Sequence, residues 1–182
     1  MFITIEGLDG VGKSTVAKGL SIALNLPFTS NRPPTGVLKE LTDRSLEVHF
    51  LYYLMSIYRL GENIKSDGLQ AVFDSYLLRP ISAHEAMGVN PAVIIASLPL
   101  IKRVHKPDKN FLLTCQHDER IRRLTIRNKS FDPFDIVDSA AEQKALDSYK
   151  KWGRLLQWSI SYIDTTFIDA NGVITMIAES MK

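Results

Sequence analysis

The chain has 182 residues, 45% hydrophobic and 23% charged, which suits one well-buried domain spanning 1–182 and leaves no room for two typical ones. With 22 Lys+Arg against 20 Asp+Glu, net charge gives no reason to expect a nucleic acid as partner, so any anion binding is local. A single cysteine, Cys115, excludes an internal disulfide framework and thiolate zinc cages and suits a reducing cytoplasm, and no run of about 18 apolar residues is present to span a membrane.

Phe2-Ile3-Thr4-Ile5 reads as a strand over 2–6 that ends at a glycine-rich turn, without the pattern of a secretory leader before it. Val16, Ala17, Leu20, Ala23 and Leu24 then fall at helical spacing until Pro27. Residues 28–36, with Pro33, Pro34 and Gly36, predict a loop with a short strand at its start. One long helix is expected over about 37–65, with Leu46, Phe50, Leu54 and Ile57 on one stripe and Tyr52, Ser56 and Arg59 on another. Leu69 to Phe73 predicts a buried strand that delivers Asp74 at its C-terminal end.

Pro80, the Gly88-Val89-Asn90-Pro91 stretch and Pro99 are expected to divide the following helical region. Phe111–Thr114 predicts a further buried strand and 117–127 an arginine-rich helix. Residues 128–137 lack a period and read as a loop or lid, the lid as a whole covering about 120–138. A helix is expected over 139–160, a last strand over 166–168, a turn at Asn171-Gly172 and a terminal helix over 173–181. Strands alternating with helices imply an α/β, three-layer fold with a parallel, about five-stranded sheet covered by helices.

Gly7-Leu8-Asp9-Gly10-Val11-Gly12-Lys13-Ser14 matches a phosphate-loop pattern that chance places in a chain of this length about one percent of the time or less. Its strand-to-helix setting makes coincidence rarer still. The glycines let backbone N–H groups turn inward around phosphate at the positive end of the next helix. Gly7, Gly10, Val11, Gly12, Lys13, Ser14 and Thr15 are therefore the expected ATP-binding residues, with Lys13 reaching the β- and γ-phosphates and the Ser14 hydroxyl on Mg²⁺.

Asp74, at the end of a buried strand beside this loop, is placed to hold Mg²⁺ or to take a proton, or alternatively to cap the next helix. Asp9 is either a sugar-facing or an exposed loop acid. Arg120, Arg122, Arg123, Arg127 and Lys129 form a basic cluster of which one or two members are expected to stabilise a transferring phosphoryl group. His84 and His105 lack ligand spacing and read as structural or surface residues.

Phe2 to Thr15, including Glu6 and Asp9, resembles the opening of thymidylate kinases. Arg32-Pro33 is similar to that family's Arg-Glu-Pro loop and Asp74-Ser75-Tyr76 to its Asp-Arg-Tyr or Asp-Arg-His motif. Pro107-Asp108 and Ile168-Asp169-Ala170 also fall where the family has similar residues. The resemblance implies a nucleoside monophosphate kinase fold with a P-loop and a lid, a homodimer, and ATP–Mg²⁺ as donor. It further implies that Asp9 faces the acceptor sugar, that Arg32 approaches its phosphate, that Asp74 is the Mg²⁺-linked acid, and that Asn171 lies near adenine; from the basic cluster, Arg127 is the expected catalytic member.

Two departures fall on the acceptor side. Ser75 stands where the family has arginine, and Tyr52 or Tyr53 with Ser56 replaces a phenylalanine–arginine pairing, leaving Arg59 displaced. Arg32, Arg59 and Arg79 are the cations left to bind an acceptor phosphate. The expected activity is phosphorylation of a nucleoside monophosphate, thymidylate first. The alternatives are a kinase for a nucleoside or another unphosphorylated small molecule, and a nucleotide-binding protein without turnover.

Overall fold

The computed structural model describes residues 1–31, 37, 40, 44–68, 70–127 and 135–181. Five parallel strands form one sheet in the order β2 (Phe28–Ser30), β3 (Ala71–Asp74), β1 (Phe2–Glu6), β4 (Lys109–Thr114) and β5 (Ser161–Asp164). Every residue of β1 and β3 is buried, as expected where both sheet faces are covered and strands read as continuous apolar runs. The described residues contain seven helices: α1 (Lys13–Ala23), α2 (Leu46–Asp67), α3 (Leu78–Met87), α4 (Pro91–Ile101), α5 (His117–Arg127), α6 (Ser139–Leu156) and α7 (Ala170–Glu179). None is long and apolar enough to cross a membrane.

The sheet separates two apolar layers. On one face Val16, Ala17 and Leu20 of α1 and Val173 and Ile177 of α7 meet Ile3, Ile5, Val72, Phe111 and Leu113. On the other, Phe50, Leu54 and Ile57 of α2, Ile81 of α3, Ile94 of α4 and Tyr149 and Trp152 of α6 cover Phe2, Phe73 and Leu112. Each such fully buried large side chain contributes about 1.5–3 kcal/mol. The register Ile5↔Asp74 brings the end of β3 beside the end of β1, where the glycine-rich loop starts.

Several elements differ from the sequence reading. The long helix starts at Leu46, because the Ser45 hydroxyl accepts the Val48 N–H at 3.4 Å and caps it there. Pro99 lies inside α4 and does not divide it; the carbonyl its missing N–H leaves unbonded belongs to Ile95, which faces solvent. α6 stops at Leu156, where Gln157 turns into the left-handed region (φ 54°). Gly153 belongs in that helix because a Cβ there would lie 2.4 Å from Ile160 Cδ1.

The last strand is Ser161–Asp164, not 166–168. Tyr162 and Ile163 pair with Leu112 and Leu113, whereas the Thr166 N–H is used in a turn to Asp164 Oδ1 at 2.9 Å. Asn171-Gly172 is the first turn of α7, since the Asp169 carboxylate accepts the Gly172 N–H at 2.8 Å and sets the helix start upstream.

Candidate active site

The loop between β1 and α1 is built by glycines at φ values that L side chains resist. A Cβ on Gly7 (φ 139°) would stand 2.5 Å from the Leu113 carbonyl oxygen, and one on Gly10 (φ 91°) 2.8 Å from that of Arg120. Gly12 (φ 96°) is different: a Cβ there would meet nothing within 4 Å, so space remains over the N-terminus of α1, where N–H groups and helix dipole favour an anion. Ser14 and Thr15 are exposed on that first turn, and Val11 is buried beneath it. The Thr165 hydroxyl lies 3.1 Å from the Val11 carbonyl and 3.0 Å from that of Thr114, tying the loop to the β5 end of the sheet.

Lys13 is only 6% exposed. Its ammonium donates to the Leu8 carbonyl at 2.8 Å and to Asp9 Oδ1 at 3.3 Å, so it spans the loop it follows. Asp9 also ion-pairs with Arg79 on α3. Burial alone would raise the Asp9 carboxyl, but the charges and hydrogen bonds of Arg79 and Lys13 outweigh it and hold it well below the usual carboxylate range.

Asp74 is buried, and its Oδ1 has no hydrogen-bond partner among the described residues. An orphaned carboxylate oxygen at this depth asks for a cation or a water. Together with the Ser14 hydroxyl it fits Mg²⁺, which keeps several waters and takes substrate phosphates as ligands rather than requiring an all-protein cage. Consistently, no cluster of three or more His, Cys, Asp or Glu gathers among the described residues.

Glu6, the last residue of β1, is fully buried and accepts backbone N–H groups from Tyr76, Leu78 and Arg79 at 3.1–3.2 Å. Burial raises its carboxyl to about 7 against the lowering pull of those three bonds. This clasp fixes the start of α3 and so the direction of Arg79. Sequence reasoning noted Glu6 only through its resemblance; the usable signal was an acid ending an otherwise buried apolar strand.

Around Arg79 stand groups from separate elements. Tyr53 of α2 and Tyr149 of α6 lie within electrostatic reach of its guanidinium, and burial pushes the Tyr149 hydroxyl well above its ordinary value. Ser56 donates to Asn31 Oδ1 at 2.8 Å just beyond β2. Tyr52 packs edge-on against Tyr53, while Arg59 is exposed on the outer side of α2. Arg32 lies outside the described residues. Asn31 and Tyr149 carried only structural signals in the sequence, a loop and a helical stripe, because neither belongs to a motif.

Beneath this pocket, His84 Nδ1 lies 2.6 Å from the Pro80 carbonyl, which can only accept, so His84 Nε2 accepts from His49 Nδ1 at 2.6 Å. Both rings are buried, and burial, with smaller contributions from His49 and Arg79, lowers His84 to about 3. His105 stacks on Phe2.

The arginine cluster divides. Arg120, 1% exposed, donates to the Asp9 carbonyl at 2.9 Å, to the Ile136 carbonyl, and to Glu142 at 2.9 Å. It is an internal strut between the phosphate loop, α6 and the segment leading into it. Arg122 and Arg123 pair with Glu119, and Arg123 also donates to the Thr165 and Thr166 carbonyls. Arg127 is exposed at the last residue of α5, and Lys129 lies outside the described residues. Asn171 is exposed at the start of α7.

No protein-family model matches the chain. The probable thymidylate kinase of Thermoplasma volcanium is 25% identical over 186 residues, covering 93% of this chain and 92% of that protein. In fold, the chain is similar to the thymidylate kinase of Candida albicans, with a TM-score of 0.74 at 20% identity over 98% of this chain and 89% of the other. It is equally similar to deoxyadenosine kinase from M. mycoides with bound dATP, with a TM-score of 0.74 at 17% identity over 100% and 99% of the two chains. The likeness that starts in the first fifteen residues thus runs the length of the chain, which has the α/β P-loop kinase fold and resembles thymidylate kinases as a divergent relative.

Proposed function

We propose that the chain is a phosphotransferase that moves the terminal phosphoryl group of ATP to a nucleoside monophosphate, thymidylate first. The observation that supports this most directly is the placing of two features at the C-terminal ends of the neighbouring strands β1 and β3: the open N-terminus of α1 above Gly12 and the unpartnered oxygen of Asp74. In this reading Lys13 neutralises charge on the β- and γ-phosphates, and the inward N–H groups of the loop hold them in line. Ser14 and Asp74 would hold Mg²⁺, which supplies further charge neutralisation at the phosphates. Asp9 orients an acceptor hydroxyl, and Tyr53, Ser56 and Asn31 border the acceptor.

A second reading, a nucleoside kinase, is favoured by Ser75, which leaves the motif without a charge for an acceptor phosphate. The two separate in one assay: ADP release from ATP and Mg²⁺ against a panel of deoxynucleoside monophosphates and deoxynucleosides. Monophosphate-dependent turnover is expected, falling about 10²–10³-fold in Lys13→Ala and about 100-fold in Asp74→Asn, since an amide cannot replace a carboxylate's charge near the metal. Turnover with nucleosides alone selects the second reading; ATP binding without turnover on any acceptor defeats both.

A further inference from the structure

We infer that Arg79 is the cation that receives the acceptor's phosphate, and that its ion pair with Asp9 is the contact the phosphate replaces; this rests on the monophosphate-kinase reading above. Ser75 adopts a left-handed conformation (φ 65°) and carries no charge, so the turn after Asp74 offers no cation of its own. Four residues later the chain supplies one. Glu6 grips the Arg79 backbone N–H together with those of Tyr76 and Leu78, which sends the Arg79 side chain, 15% exposed, toward the phosphate loop.

Arg59 is exposed on α2, whereas Arg79 is held on the Asp9 carboxylate and, unlike Lys13, comes from outside the phosphate loop. A guanidinium fork fits phosphate as well as it fits carboxylate.

Exchange is favourable on charge grounds. A phosphate monoester carries about −1.5 to −2 at neutral pH, against −1 for Asp9. Asp9 would not be stranded, because the Lys13 ammonium, 3.3 Å from its Oδ1, has three N–H donors and can serve Asp9 and the donor phosphates together. Asp9 Oδ2, released by Arg79, is then able to accept a hydroxyl of the acceptor. An unphosphorylated nucleoside brings no anion to open the pair, so the same contact discriminates against it. Arg79 is therefore a specificity-determining residue encoded outside the motif where sequence comparison looks for one.

The test is steady-state kinetics of wild type, Arg79→Gln and Arg79→Lys with ATP and the deoxynucleoside monophosphate of highest turnover. Arg79→Gln is expected to raise the acceptor KM about 10–100-fold and the ATP KM far less, with Arg79→Lys intermediate because it keeps charge without the fork. Arg79→Lys also serves if Arg79→Gln, which removes one of Asp9's two cations, fails to fold. Equal effects on both KM values, or none on the acceptor's, overturn this role while leaving the phosphotransferase reading intact. Wild-type turnover of nucleosides alone also overturns it, and absence of any wild-type turnover removes both.

Discussion

The two halves of the proposed site, one for the donor and one for the acceptor, are made in different ways. The donor half is contiguous: Gly7 to Thr15 form it almost alone, and its geometry lies in the backbone, at glycines whose replacement would collide with Leu113 or Arg120. The acceptor half draws Asp9, Asn31, Tyr53, Ser56, Arg79 and Tyr149 from well-separated stretches of chain. A site written in the backbone of one short segment cannot drift without losing its shape. One assembled from side chains can lose a charge at Ser75 and present another at Arg79 while the fold stays as it is.

Arg120 is where the halves are fastened together, and its removal is expected to have the largest effect. Arg120→Ala leaves Glu142 buried with His117 as its remaining hydrogen-bond partner and frees the Asp9 and Ile136 carbonyls. Breaking a buried pair in this way costs about 3–5 kcal/mol, to be read as a drop in the thermal unfolding midpoint. An unchanged midpoint would mean that loop and α6 hold their positions independently.

Glu6 joins the halves through proton binding, and Glu6→Gln is next in size. The folded-state carboxyl is raised to about 7 from 4.5. Between these values the unfolded chain has released a proton that the native protein keeps, so the associated stability is full below about pH 4.5 and is lost as pH rises through about 7. The loss is of order 3 kcal/mol. His84, lowered to about 3 from 6.5, acts oppositely: its contribution is present above pH 6.5 and lost as pH falls toward 3. Urea titrations from pH 4 to 8 on wild type and Glu6→Gln cancel the His84 part, and the variant is expected to lack the decline. Parallel curves would show that Glu6 is ionised in both states.

Ser56→Ala is the mildest cut and lies within the acceptor half. It removes the 2.8 Å hydrogen bond to Asn31, costing about 1 kcal/mol in the denaturant midpoint, and is expected to move the acceptor KM rather than the ATP KM. A larger effect on ATP would erase the division between the halves.

The same division explains what could be read from the chain. β1, the phosphate loop and α5 are visible because period, glycine spacing and stop signals all lie within one short window. The strand expected at 166–168 fails because Thr166-Phe167-Ile168 looks strand-like locally, while the Thr166 N–H and hydroxyl both go back to Asp164. Arg120 reads as one arginine of a solvated basic helix, and only packing against Gly10 and Glu142 makes it internal. Arg79 could be named as an available cation, but not placed, since its direction depends on a glutamate 73 residues earlier. Asn31 reads as a loop residue and Tyr149 as one position of a helical stripe, and nothing within either short segment marks a place beside Arg79.

The position of β1 at the centre of the sheet bears on how the protein is made. Ile3 pairs with Val72 on one side and Lys109 on the other, so β1 leaves the ribosome well before either of its partners. At about 5–20 residues per second, the apolar Phe2-Ile3-Thr4-Ile5 stretch stays unpaired for several seconds before β3 emerges and longer before β4 does. During synthesis the strand that later anchors the phosphate loop is the segment most in need of shielding, by a chaperone or by early collapse onto α1.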